Sequence, residues 1–450
     1  MLPLSSPAQR GMWSSAGRTV LLPALALLLA LTGCATSQET ERSALADSAA
    51  GAAAVNRAGP DLAPQSDAVR TVQLYQGSEE RSLPVTALNQ DDPLTLEFDL
   101  MRQQGRSLSV SFYHADREWN RDLSPSRVLE SYQDDQLVNY RASQGTEVPY
   151  VHYVYRFPND DIRFRISGNY ILRVTERGRR DSVLFERPFF VTDETGRLNL
   201  GAEGLMVPGQ RRRSLRPVAR FDPPSALRGD PFGYAVCFVR NGRLPDTRCQ
   251  DRPLLAQQPR LEFKLDRDRA FAPVTADYTV DLGDLRGAVG IERLDRTVSP
   301  FRVLLEPDYA QFSGQDRDAT LNGQIVVREA VRGRAEPALT AEYVETSFAF
   351  VPPREQPLGD EVMLAGSFSG MDPTRGVKMR WNAGRRRYEG EVLLKQGRYQ
   401  YFYETSDPLL RREGASSPSR LQNTYTTFVY YEDSSESTDR LLRVNSFQRQ

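Results

Sequence analysis

The chain has 450 residues, 39% of them hydrophobic and 9% aromatic, which is enough to build several separate cores. Lysine and arginine number 58 against 59 aspartates and glutamates, a net charge of −1, so neither a nucleic-acid footprint nor an acidic tail stands out. Nearly all the cations are arginine, which reads first as the coding bias of a GC-rich genome and second as selection for bidentate surface contacts.

In chain order, Arg10 and Arg18 precede an apolar run over residues 20–31 that is too short to span a bilayer but suits a signal-peptide core. The run ends in Leu31-Thr32-Gly33-Cys34, which resembles the lipobox of bacterial lipoproteins. Residues 1–33 are therefore expected to be removed and Cys34 to carry lipid. Their removal takes away two arginines and no acid, leaving 56 cations against 59 anions, a net charge of about −3. Several acyl chains on one residue hold a protein at a membrane surface far more firmly than a single chain. Ala35 follows the cysteine, and no strongly acidic run of the kind linked to surface export comes after it. The expected location is the periplasmic face of the outer membrane. Residues 34–66 lack an apolar period and read as a disordered tether, with a mean reach of roughly 30 Å.

Strand signals begin near Val69 and continue through Leu94-Leu96-Phe98-Leu100 and Leu108-Val110-Phe112. An excursion over residues 114–147 carries Trp119, Tyr132 and Tyr140 in a polar background, and loops of that length are usually functional or have structure of their own. An aromatic strand follows, with Val151, Tyr153, Tyr155 and Phe157 on one face at period two. After a turn expected at Gly168-Asn169, Tyr170, Leu172 and Val174 repeat that rhythm. A tyrosine at the start of a late strand, bonded back to the preceding corner, closes many immunoglobulin-like sandwiches. A second such corner stands at Gly397-Arg398-Tyr399-Gln400-Tyr401, and each is followed by one further strand-like run, over residues 182–191 and 424–431.

The expected fold is all-β: tandem immunoglobulin-like or early-set sandwiches over residues 67–193 and 341–450, joined by a β-rich middle segment over 194–340. Cys237 and Cys249 are the one candidate disulfide of an oxidising compartment. A loop over residues 241–245 sets them opposite each other, whereas a two-residue Asn241-Gly242 turn sets Asp246 opposite Cys237. A bond over so short a loop is worth on the order of 3 kcal/mol in the entropy model.

Chemistry is thinly signalled. The two histidines, His114 and His152, read as satisfied structural imidazoles. No usual zinc ligand set can be assembled around them. The acidic pairs Asp160-Asp161, Asp266-x-Asp268 and Asp316-x-Asp318 read as solvated turns. No nucleophile elbow, phosphate loop or HExxH is present, so no catalysis, metal or cofactor is expected.

Two family resemblances follow. Gly366-x-Phe368, Met379 and Leu394-x-x-Gly397-x-Tyr399-x-Tyr401 resemble the glycogen- and starch-binding early-set domains. In those domains a tryptophan stacks on sugar where this chain has Met371. That resemblance implies the fold, and as a second functional alternative a glycan-binding lipoprotein of a polysaccharide-uptake system. The wider resemblance rests on the run from Phe112 to Trp119, Tyr150-Val151-His152-Tyr153, Phe157-Pro158-Asn159-Asp160 and Ser167-Gly168-Asn169-Tyr170. Leu393-Leu394-Lys395-Gln396-Gly397, Asn423-x-Tyr425 to Tyr430-Tyr431 and Asp439-Arg440-Leu441 complete it. In this order they resemble the type IX secretion plug-protein family of Bacteroidetes and relatives. The resemblance implies a lipid-anchored stopper for the periplasmic side of a very large outer-membrane β-barrel translocon. Trp119, Tyr132, Tyr140 and the arginine clusters Arg211, Arg212, Arg213 and Arg385 to Arg387 are the expected contact residues.

Overall fold

Alternation of apolar and polar residues sets which face of each strand turns inward, and in the first 130 described residues it does so strand by strand. In the computed structural model, Val69–Gln76, Leu94–Leu100, Val151–Phe157 and Tyr140–Ala142 form one four-stranded sheet. Val85–Ala87, Arg179–Thr192, Gly168–Glu176, Leu108–Ala115 and Asp134–Leu137 form a second sheet that packs on it. The model describes residues 59–88, 92–206, 213–257, 259–272, 277–287, 289–310, 321–330, 336–407, 410 and 423–449. The signal-peptide and Cys34 expectations lie outside them, as do Arg211, Arg212 and the side chain of Arg213.

Between the two sheets lies an aromatic core. Phe157 stands 5.0 Å from Phe112 and 5.1 Å from Phe189, centroid to centroid, and Tyr170 stands 5.2 Å from Phe189. The edge-to-face and offset geometries among these rings add to the area they bury. All four aromatic-strand positions read as one face, Val151, Tyr153, Tyr155 and Phe157, line this core. Gly168 and Asn169 open the strand Gly168–Glu176, where a turn was expected. At Gly168, with φ +156°, a Cβ would fall 2.2 Å from His114 Nε2, so only glycine fits against that imidazole.

The remaining strands build two further sandwiches, and the chain interleaves them. Arg197–Met206, Arg213–Asp222, Arg260–Lys264 and Leu254–Gln257 form one sheet of the second sandwich. Its facing sheet takes Arg248–Gln250 and Tyr234–Arg240 from the middle of the chain, then Asn423–Asp433 and Thr438–Arg449 from the end. The pairing of Tyr234 with Tyr431 through Arg240 with Tyr425 stitches the chain end to the middle strands, over a core of Phe221, Val236, Phe238, Phe263 and Val429. The third sandwich is inserted between these two halves. One of its sheets contains Asp277–Asp281, Gly397–Glu404, Met363–Gly366 and Val377–Lys378, with Val326–Val327 beside them. The other contains Ile291–Asp295, Arg302–Leu305, Tyr343–Val351, Arg387–Lys395 and Arg380–Asn382, with Asp308–Tyr309 paired to Tyr343–Val351.

The sheets therefore cut across a division of the sequence at residue 340. The run over 424–431, which local periodicity attaches to the second aromatic corner, leaves that corner and pairs with Tyr234–Arg240. Period-two alternation specifies which face of a strand is buried but not which neighbour it pairs with, so the crossing carries no local signal. Residues Asn56–Gln450 make up one compact unit.

Candidate functional site: polar joints and an open sheet edge

Both tyrosine corners form. The Tyr170 hydroxyl donates to the Ile166 carbonyl at 2.6 Å and the Tyr399 hydroxyl to the Lys395 carbonyl at 2.7 Å, each reaching back four residues. Burial pushes both phenols far above their ordinary pKa, so they remain donors at any physiological pH.

Outward-facing charged residues of the first and third sandwiches meet in a buried joint. Asp99, Thr71 and His152 face away from the first core, on the side that the third sandwich covers. Lys395 Nζ donates to Asp99 Oδ2 at 2.7 Å and to the Ala338 carbonyl at 2.6 Å, and lies 4.1 Å from the centre of the Tyr150 ring. The Tyr343 hydroxyl donates to the same Asp99 oxygen at 2.7 Å, and His152 Nδ1 holds the other at 2.8 Å. Burial raises the Asp99 pKa, but the Lys395 ammonium and the His152 hydrogen bond outweigh it and hold the carboxyl below the usual carboxylate range. At the same seam the Glu342 carboxylate accepts from the Glu147 and Val148 amides at 2.9 to 3.2 Å, and Tyr150 donates to the Ala341 carbonyl at 3.0 Å.

The first and second sandwiches are joined by apolar and polar contacts together. Phe190 packs against Phe428 in a tilted arrangement at 4.5 Å, and Trp119 lies edge-on to Phe190 at 5.5 Å. The Tyr430 hydroxyl donates to Asn169 at 2.8 Å, Arg117 binds Asp439 through both its amide and its guanidinium, and Arg440 reaches Asp193 at 2.6 Å. His114 Nδ1 meets Asp122 at 2.7 Å, and Thr438 donates to the other oxygen of that carboxylate. Both histidines thus sit in inter-sandwich carboxylate networks.

The second and third sandwiches share a joint centred on Asp277. Asn241, Arg243 and Gln400 all donate to its carboxylate, and the Arg243 guanidinium lies 3.5 Å from the centre of the Phe402 ring. Gly242, at φ +71°, passes so close to Asn322 that a Cβ would overlap its carbonyl. Each pair of sandwiches is thus cross-linked by buried, hydrogen-bonded polar groups.

A strap from the N-terminal side ties all three together. Of the span read as a tether, residues 59–66 are laid against the body. Gly59 abuts Pro245, the Leu62 and Ala63 carbonyls accept from Arg375, and the Ala63 amide donates to Glu186 at 2.7 Å. Arg187 donates to Gln65 at 2.6 Å. Glu186 in turn is held below the usual carboxylate range against the opposing effect of burial by the Ala63 amide, Arg173 and Arg121.

The expected contact residues separate. Trp119 is 7% exposed and belongs to the joint between sandwiches, so it is not available to a partner, because its indole fills the gap between Phe190 and the chain-end hairpin. Tyr132 is 67% exposed and Tyr140 42%, and with Val138 at 74% they mark the edge where the chain passes from one sheet of the first sandwich to the other. Val138 and Tyr140 follow Asp134–Leu137 at the crossing, and Tyr132 precedes that strand. Arg385 and Arg387 share Glu389, and Arg386 pairs with Glu355. Cys237 and Cys249 are directly opposed on paired strands and disulfide-bonded. Where early-set sugar binders place a stacking ring, Met371 is 2% exposed and packs on Ala365 and Phe402. Among the described residues no group of three or more His, Cys, Asp or Glu could hold a metal, and no helix is long and apolar enough to cross a membrane.

Residues 69–193, the whole of the first sandwich, match the family model described as type 9 secretion system plug protein 1st domain. The first sandwich belongs to the type 9 secretion system plug family. Of the motifs that carried the resemblance, His152, Asn169 and Arg117 in the plug domain and Lys395, Tyr430, Asp439 and Arg440 beyond it all lie in the joints just described, whereas their partners Asp99 and Asp193 stand outside those motifs. Among solved structures, the chain is similar to a hypothetical protein from Parabacteroides merdae ATCC 43184, with a TM-score of 0.75 and 21% identity, covering 86% of this chain and 99% of that one. At that identity the likeness speaks to the fold of the plug domain and its companions together. A match to alpha-2-macroglobulin of E. coli, with a TM-score of 0.17 and 10% identity over 88% of this chain and 23% of that one, carries no weight. No curated protein matches the chain. Asp99, Tyr343 and Asp277 were not singled out by sequence reasoning. A faint signal existed for Lys395, one of only three lysines in the chain.

Proposed function

We propose that this protein is a lipid-anchored stopper that seals the periplasmic side of the large outer-membrane β-barrel of the type 9 secretion system when no cargo is engaged, and that it performs no catalysis. The observation that carries this reading is the match of residues 69–193 to the plug family's first domain. Outer-membrane barrels reach up to about 36 strands, and a lumen of that width leaks unless something fills it. A stopper has to keep its shape under load, and three sandwiches cross-linked pairwise by buried polar joints meet that demand better than beads on a flexible string. Lipid on Cys34 would confine the body to the inner surface of the membrane and raise its concentration at the barrel mouth without any new contact. Residues 59–66 are bound to the body, so the tether expected from the sequence is shortened by that stretch.

A stopper must also leave, which favours a modest, partly polar contact over an oily one. The edge bearing Tyr132, Val138 and Tyr140 is our choice for that contact in the first domain, since exposed tyrosines give area with a polar tip. Crosslinking in isolated outer membranes tests the assignment. A photo-reactive residue at position 132 or 140 is expected to capture one very large barrel protein, identified by mass, and the same residue at Arg179 is expected to capture none. Capture of a polysaccharide-uptake component instead would overturn it.

A further inference from the structure

Across the outer face of the third sandwich runs a trough of about 560 Å³ that none of the joints occupies. Its floor is narrow because Ser347 and Ala349, two residues apart on Tyr343–Val351, put only small side chains outward. Its walls are long and charged. Six of the lining side chains are cationic and three anionic, a local balance of +3 in a chain whose total is −1. The anions inside offset it only in part, with Arg302 4.0 Å from Glu391. Glu389 is shared by Arg385 at 3.2 Å and Arg387 at 2.7 Å, and Lys378 turns away to Glu361. Arg293 and Arg380, both exposed, make no ion pair among the described residues.

We infer that this trough binds an extended acidic segment of a partner protein. Guanidinium groups grip carboxylates through paired hydrogen bonds, which lysine cannot match, and five of the six cations here are arginines. An extended chain presents alternate side chains to the same side every 6.6 to 7 Å or so, which matches cationic walls flanking a floor of small residues. The lining aromatic, Phe348, is buried, so the trough offers no exposed ring for stacking on a sugar. Glu389 and Glu391 sit among the arginines and would repel a uniformly anionic membrane or nucleic acid, while a segment alternating carboxylates with small polar residues can avoid them. The inference goes beyond the stopper reading and does not depend on the barrel contact.

Fluorescence anisotropy with a labelled synthetic peptide of alternating aspartate and serine, on the full-length mature protein, tests it. Expected are saturable binding, weakening as salt is raised, a loss of about tenfold or more for the pair Arg293→Ala and Arg380→Ala, and unchanged affinity for the exposed control pair Arg179→Ala and Arg180→Ala. All four side chains are exposed, and a thermal melt verifies that the variants stay folded. Equal loss in both pairs, no loss in the trough pair, or tighter binding to anionic phospholipid vesicles than to the peptide would overturn the inference. None of these outcomes bears on capture at position 132 or 140, so the two proposals fail separately.

Discussion

Lys395 Nζ donates to Asp99 Oδ2 at 2.7 Å across 296 residues of sequence, and both side chains are at most 1% exposed. This ion pair welds the plug domain to the third sandwich. Taking two charges out of water costs several kcal/mol per ion, so the pair persists only because Tyr343, His152 and the Ala338 carbonyl satisfy the remaining donors and lone pairs. Lys395→Met should lower unfolding stability by roughly 3–5 kcal/mol, since it leaves Asp99 buried without its cation. The double variant with Asp99→Asn should recover part of that loss. Urea titration of Lys395→Met, Asp99→Asn and the double variant completes the cycle, and simple additivity would mean that the two groups do not act as a pair.

The same carboxylate sets a pH dependence. Its folded pKa is depressed, so its contribution to stability is fully present above the unfolded value of about 3.9 and is lost as pH falls through that value towards the folded one. Stability measured from pH 6 down to pH 2 should therefore fall less steeply in Asp99→Asn than in the native protein. Equal slopes would show that Asp99 gains nothing from its partners.

The corner hydrogen bonds predict a matched pair of effects. Tyr170→Phe and Tyr399→Phe each leave a buried carbonyl without its donor and should cost about 1–3 kcal/mol. Tyr132→Phe, on an exposed ring, should stay within about 0.5 kcal/mol. Thermal denaturation of the three variants separates the cases.

Strap docking is open to a local test. Ala63→Pro removes the amide that donates to Glu186 while leaving the three cores intact. Limited proteolysis should then cut within residues 59–66 at least severalfold faster, with little change in the melting of the rest. Unchanged cutting would mean that the strap is held by its other contacts alone.

Much of the fold was legible because burial on one face writes itself into period two. The strands around Phe98, Phe112, Tyr153 and Tyr170, and both tyrosine corners, follow from that rule. The joints were not legible, for a physical reason. Asp99 and Lys395 occupy outward positions of their strands, where a charged residue ordinarily means solvent, and nothing local reveals that another sandwich covers them. Trp119 misled in the opposite sense: an aromatic in a polar loop looks like a contact for a partner, and here the partner is the chain's own end. The crossing of Asn423–Asp433 into the second sandwich depends on long-range pairing with Tyr234–Arg240, which alternation alone cannot specify.

Outer-membrane permeability measures the proposed hole-filling role most directly. Cells lacking the protein are compared with cells lacking both it and the translocon barrel, using a large solute that the intact membrane excludes. Influx is expected to rise in the first strain and to return to the parental level in the second. Equal leakage in both strains would contradict the account.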